Sequence, residues 1–382
     1  MIYCGDHTVT FSFGGHAFLA KLLRHFDLGS TEIVEAGAEA SEPDDRLPGY
    51  EYRRLRFPFD RFERTRWSRW HARWAVANRR QRGRRIAEFL GLTKQDCLMT
   101  IAHDFIWIPV IEAARQTQAK VIVFCHDEWV ELYGAKFRSK EEAKSIYGGQ
   151  LRKATQVFSA SEGMRRHLAN AYGVKSKVFY PPRSTEQSGS KRQPQGNREK
   201  FRFTFCGQLW KEYWSSLREV AAVGMKHGWE IDILTNAPGQ KVVEREFPNV
   251  RARDFLPEER LISHLQVESD ALVIALPFGQ EARKTMETMF SSKMADYTMT
   301  GLPIVILAPP HAEMSRWGHE AGCFCLLDKL DRECIEKELI RFVGDEAGRS
   351  RMGQRAFELG QRLFSPERAK SEILSVMHGQ RT

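Results

Sequence analysis

The chain has 382 residues, 42% hydrophobic and 28% charged, with a net charge of +9 and seven cysteines. That length exceeds what one hydrophobic core serves, so two domains of ordinary globular composition are expected. No stretch approaches the roughly 18 apolar residues of a membrane span, and the scattered cysteines, with Cys323-x-Cys325 the only close pair, point to no disulfide framework and no zinc site.

The opening segment, MIYCGDHTVTF, lacks the basic region and apolar core of a signal peptide, so a cytoplasmic location is expected. A glycine turn at Gly14-Gly15 leads into HAFLAKLLRHF, which has helical period, and TEIVEAG and YEYRRLRF read as strands. The net charge then concentrates. Residues 53–85 hold 13 Arg against two acids, Asp60 and Glu63, so this window is +11 and the rest of the chain −2. Within a helix expected over 63–90, Trp67, Trp70 and Trp74 fall on one stripe, flanked by Arg66, Arg69, Arg73 and Arg80. Three readings stand. The stripe packs on the core with a solvated Arg face; or the helix lies on an anionic membrane surface, with Trp rings at headgroup level; or it meets an anionic polymer, nucleic acid being the less favoured partner.

Two apolar runs follow, CLMTIAHDF and KVIVFCHDEW, and each ends in His-Asp: His103-Asp104 and His126-Asp127. A histidine at a strand end can take a proton from a hydroxyl near neutral pH, and an aspartate can do the same or orient it. TQVFSASEGMRRHLANAYG reads as a strand, a Ser-rich cap and a helix closed by Gly173. The segment 183–200 is nearly devoid of apolar residues and is the best domain boundary.

The second half alternates more regularly. FRFTFCG, WEIDILT, DALVIALPF, PIVILA and CFCLL read as buried strands between amphipathic helices, including a short one around 239–246, and polar-rich helical segments finish the chain. Continuous apolar strands alternating with helices mean parallel sheets covered on both faces. A helix expected over about 291–300 opens with Ser291-Ser292-Lys293 just after a buried strand. Free N–H groups, two hydroxyls and a cation suit a diphosphate; a plain Ser N-cap with a solvated lysine fits the spacing equally.

The order of these features resembles the GT-B glycosyltransferases of the group 1, or family 4, class. The resemblance rests on ATQVFSASEGMRRHLANAYGVKSKVFYPP, FTFCGQLWKEYWSSL, RDFLPEERLISHLQVESDALVIALPF and SSKMADYTMTGLPIVI. It covers residues 150–330 well and the first 150 poorly. It implies an α/β fold of two doubly wound Rossmann-like domains facing a cleft: an acceptor domain over 1–183, a linker over 184–200, a donor domain over 201–363 and a C-terminal helix over 364–382 that braces them. It implies transfer of a sugar from a nucleotide-sugar donor to a glycan or lipid-linked acceptor of the cell envelope, at the cytoplasmic membrane face. Ser291, Ser292 and Lys293 would hold the diphosphate, and Asp296 falls where the family has a donor-contacting Glu. Gly207, Gln208, Lys211 and Asn236 would also lie at the donor. His126 matches a family histidine beside the substrate and, with Asp127 and His103, would be catalytic; Asp104, Gly14 and Gly15 would line the acceptor side or the cleft. One departure is plain: the family's paired Glu is Thr288 here, with Glu287 and Glu281 nearby, which leaves retaining or inverting stereochemistry open. No metal or other cofactor is expected, because there is no DxD motif with supporting ligands and Lys293 can neutralise a leaving diphosphate. The rivals are a sugar-nucleotide epimerase on the same fold, an Arg-rich nucleic-acid-binding protein or a glycosyltransferase acting on nucleic acid, and a relic that binds without turnover.

Overall fold

The computed structural model describes residues 1–11, 14–37, 40–183, 199–243 and 247–379. Most of the expected linker, and the end of the short helix expected around 239–246, lie outside them. The chain divides into two compact units, Met1–Pro181 with Pro366–Thr382, and Pro182–Ser365.

The first unit is a seven-stranded parallel sheet of β1 (Ile2–Gly5), β2 (Glu32–Ala36), β3 (Glu51–Leu55), β4 (Cys97–Ile101), β5 (Lys120–Cys125), β6 (Gln156–Ser159) and β7 (Lys177–Val178). Its order is β3-β2-β1-β4-β5-β6-β7. The second unit holds β8 (Arg202–Cys206), β9 (Glu230–Leu234), β10 (Val250–Arg253), β11 (Ala271–Ala275), β12 (Ile304–Leu307) and β13 (Cys325–Leu327), in the order β10-β9-β8-β11-β12-β13. All pairings are parallel. In each sheet the order reverses once, between β1 and β4 and between β8 and β11. Helices cover both faces, so central strands such as β11, ALVIA, are buried at every position. Two strands escape sequence pattern. The central β1 is only four residues, IYCG, and the edge strand β10, VRAR, is half exposed and half Arg.

The last helix, Pro366–His378, belongs to the first unit. Ala369 and Ile373 are fully buried in its core beside Phe18 and Phe179, the Arg368 guanidinium donates to the Tyr180 carbonyl, and Lys120 Nζ donates to the Met377 carbonyl.

The Arg/Trp segment is two helices, Ser68–Ala77 and Arg79–Leu90, not one over 63–90. Asn78 ends the first: its backbone N–H and its Nδ2 both donate to the Trp74 carbonyl, the local competition with the helix ladder that short polar side chains provide. The Trp stripe is split as well. Trp74 packs on the first unit's core, while Trp67 and Trp70 are 52% and 45% exposed. Arg82 turns inward. Its guanidinium lies over the Phe57 ring at 4.4 Å and 3.6 Å from Asp60 Oδ1, fully enclosed. Burial pushes its pKa down to about 10, against the pull of Asp60. Arg82→Ala leaves the Asp60 carboxylate buried without its cation, so urea unfolding should show a loss of about 3 kcal/mol or more; the exposed Arg84→Ala should change stability by less than about 0.5 kcal/mol.

Candidate active site

In doubly wound sheets ligands gather where the strand order reverses, at the carboxyl ends. In the second unit that point is the end of β8. Gly207 follows β8 with φ +146°, and a β-carbon there would sit 2.1 Å from Lys293 Cε. The lysine stem therefore rests on a bare α-carbon. Its Nζ lies 5.2 Å from the Phe205 ring centroid and 6.0 Å from that of Tyr213, and it makes no ion pair among the described residues. Burial pulls the ammonium pKa below its ordinary value. A desolvated cation without an acid partner, set at a switch point, has the electrostatics to receive an anion.

The surrounding segment differs from its sequence reading. The α-helix is five residues, Lys293–Tyr297, continued by a 3₁₀ turn over Thr298–Thr300. Neither a Ser cap nor paired hydroxyls are presented. Ser292 is exposed and makes no capping bond, and Ser291 is buried, its N–H donating to the Met314 sulfur. Position is held from two sides instead. The Tyr297 hydroxyl accepts from the Cys206 N–H at 2.7 Å and reaches the Val273 carbonyl, tying the helix to β8 and β11. Behind it, the helix Glu346–Leu363 brings Gly353 so close that a β-carbon would lie 2.0 Å from the Gly301 carbonyl oxygen. Of the other donor candidates, Gln208 is half-buried beside Gly207, and Lys211 is exposed at the start of the helix Lys211–His227. Asp296 is half-buried on the Lys293 helix. Asn236 caps the helix Ala237–Gln240, its side-chain oxygen accepting from Gly239 N at 3.0 Å. Glu287 pairs with Arg283 at 3.2 Å, and Thr288 is buried.

The first unit's switch point, at the ends of β1 and β4, is built from histidines and carboxylates. His7 stacks on His16 with centroids 4.6 Å apart and meets His103 edge-on at 4.2 Å. Asp6 Oδ1 lies 3.4 Å from His7 Nδ1 and 3.9 Å from His103 Nδ1, and Asp104 Oδ2 lies 3.4 Å from the latter. Asp104 sits at φ +38°, where its carbonyl accepts from the indoles of Trp107 and Trp129. Burial, and then neighbouring Asp104, raises the pKa of Asp6; burial, Asp104 and Asp6 raise that of buried Glu63. His103 is pushed down to about 3 by burial and the adjacent His7 and His16. His126 lies beyond the end of β5, edge-on to Phe18 at 4.3 Å, and is also pushed down to about 3, by burial and then His7. Such an imidazole is neutral at pH 7 and a weak base, suited to hydrogen bonding more than to carrying a proton. Asp127 is an exposed residue, whose carboxyl pKa is raised by desolvation against the pull of His7. Gly14 opens the helix Gly14–Leu23, and Gly15 underlies the His7 ring, which a β-carbon would overlap.

No protein-family model matches the sequence, and no curated protein matches it. Solved structures do. Sucrose-phosphate synthase from Thermosynechococcus elongatus matches with a TM-score of 0.69 at 12% identity, over 99% of this chain and 98% of that one. A glycosyltransferase from Rickettsia africae matches with a TM-score of 0.68 at 10% identity, over 99% and 98%. The HepE protein of Anabaena, solved with UDP and glucose, matches with a TM-score of 0.67 at 12% identity, over 99% of each chain. The fold is GT-B.

Within this GT-B chain, sequence reasoning missed Asp6, His7, His16, Glu63, Tyr133 and Tyr297. Asp6-His7 directly follows the apolar IYCG, the one signal that could have marked it as a strand end. Tyr297 lay inside the quoted signature without a role. Tyr297→Phe strands the buried Cys206 N–H, and should destabilise the second unit by about 1–3 kcal/mol in urea unfolding.

Proposed function

We propose that the chain is a glycosyltransferase that uses a nucleoside-diphosphate sugar. The observation that carries this reading is Lys293, desolvated and unpaired by acids, seated against Gly207 at the switch point of the second sheet. Lys293 and the adjacent backbone N–H groups meet the diphosphate charge as it builds on the leaving group, with no metal needed at that position. Gly207 lets the phosphates approach the backbone, and Gln208, Lys211, Ser292 and Asp296 border the donor. The first unit takes the acceptor, with His103, Asp104 and His126 as hydrogen-bonding groups for hydroxyls. Anabaena HepE carries UDP, and trehalose-phosphate synthases described as UDP-forming share the fold, so UDP is the first base to test. In a thermal-shift panel of UDP, GDP, ADP, CMP and dTDP, one nucleotide should raise the melting temperature. Lys293→Ala should weaken that nucleotide by roughly ten- to hundredfold, the worth of a charge-assisted contact of about 1.5–3 kcal/mol, with the fold intact. Unchanged affinity in Lys293→Ala refutes the assignment.

The acceptor class is a glycan or lipid-linked glycan of the cell envelope, met at an anionic membrane face. Support comes from the exposed rings of Phe59, Trp67 and Trp70, of which Phe59 and Trp70 cluster edge-on and stacked with Phe62 and Trp74, in a segment that also exposes Arg61, Arg64, Arg66, Arg69 and Arg73. No helix among the described residues is long and apolar enough to cross a membrane, so such an attachment is interfacial, with about 1 kcal/mol per cation near the lipid. Co-sedimentation with phosphatidylglycerol vesicles should fall at least tenfold in Trp67→Ser/Trp70→Ser and at high salt, with the melting temperature unchanged. Equal binding by the double variant rules the surface out.

A further inference from the structure

We propose that Asp6, His7 and His103 form a binding site for one divalent transition-metal ion of the zinc type. The site lies wholly in the first unit and is independent of the diphosphate reading at Lys293. One donor atom from each of the three residues lies within 4.8 Å of the other two. Asp6 Oδ1 is 3.4 Å from His7 Nδ1 and 3.9 Å from His103 Nδ1. Donors bound at about 2.0–2.1 Å in a tetrahedron are roughly 3.3 Å apart, so an ion fits between these atoms with small side-chain rotations. Asp104 Oδ2, 3.4 Å from His103 Nδ1, is in place as a further oxygen donor.

The hydrogen bonding says which atoms need a cation. The Tyr133 hydroxyl is 2.9 Å from His103 Nε2. A metal ligated through Nδ1 sets the tautomer in which Nε2–H donates to this hydroxyl. Nδ1 of His103 faces two carboxylates, Asp6 and Asp104. Nδ1 of His103 and Oδ2 of Asp6 are buried with no hydrogen-bond partner among the described residues, and the Asp6 side chain is only 7% exposed. Lone pairs facing one another in a buried site call for a proton or a cation between them. The Tyr133 contact is also the outer-shell hydrogen bond that orients a metal-ligating imidazole. Two imidazoles with carboxylate oxygens select zinc-like ions over calcium or magnesium, which take all-oxygen shells. These ligands come from positions 6, 7 and 103, a spacing that no short sequence motif marks.

The test uses the full chain, without an affinity tag of histidines, treated with a chelator and then titrated with Co²⁺ followed by ligand-field absorption and with Zn²⁺ by calorimetry. One ion per chain is expected. Asp6→Asn and His103→Ala should each weaken it at least a hundredfold, and Tyr133→Phe roughly ten- to hundredfold. His227→Ala, on the surface of the other unit in an ion pair with Glu336, should leave binding unchanged. Circular dichroism checks that each variant is folded, and Tyr133→Phe keeps the test alive if Asp6→Asn is not. Absence of stoichiometric binding by the wild type, or equal binding by the folded variants, overturns the proposal.

Discussion

The second unit depends on the contact between a lysine stem and a glycine α-carbon. Lys293 can lie desolvated at the end of β8 only because Gly207 offers no side chain and takes a backbone angle that other residues rarely adopt. Burying an ammonium without an acid costs stability, so the rest of the unit has to hold it there. Tyr297 ties the short helix to two strands, and the Gly353 face of the long helix closes on the turn behind it. Strain of this kind is kept where a ligand repays it.

The two sheets share one topology and have opposite chemistry at equivalent places. The switch point of the second presents a lone cation; that of the first presents carboxylates and neutral histidines. A diphosphate suits the former, and hydroxyls or a metal ion suit the latter. The proposed placement of an anionic donor on one unit and a polyhydroxylated acceptor on the other rests on that difference in charge.

The basic segment has two roles that composition merged into one number. Arg82 is structural, sandwiched beneath Phe57 and Trp74 against Asp60, and Trp74 faces the core. The outward Arg residues, with Trp67 and Trp70, form the surface whose charge dominates the chain. The break at Asn78 separates them: the first helix carries the exposed rings, and the second packs Arg82 and Ile86 inward.

Sequence alone determined the two-domain α/β architecture, because continuous apolar strands such as ALVIA and IVIL alternate with amphipathic helices and only a parallel sheet buries both faces. It also singled out Lys293, through its place after a buried strand. It could not determine what surrounds that lysine. The Ser-Ser-Lys pattern suggested a capped helix, whereas Ser291 is buried with its N–H on the Met314 sulfur and the α-helix is a single turn. The histidine site was half legible: His103 and His126 end apolar runs, but Asp6-His7 follows a four-residue strand too short for periodicity. Only tertiary structure decided that positions 6, 7, 16, 103 and 133 meet. Adjacency across parallel strands is set by sheet order, and no local spacing encodes which strand becomes the neighbour of β1.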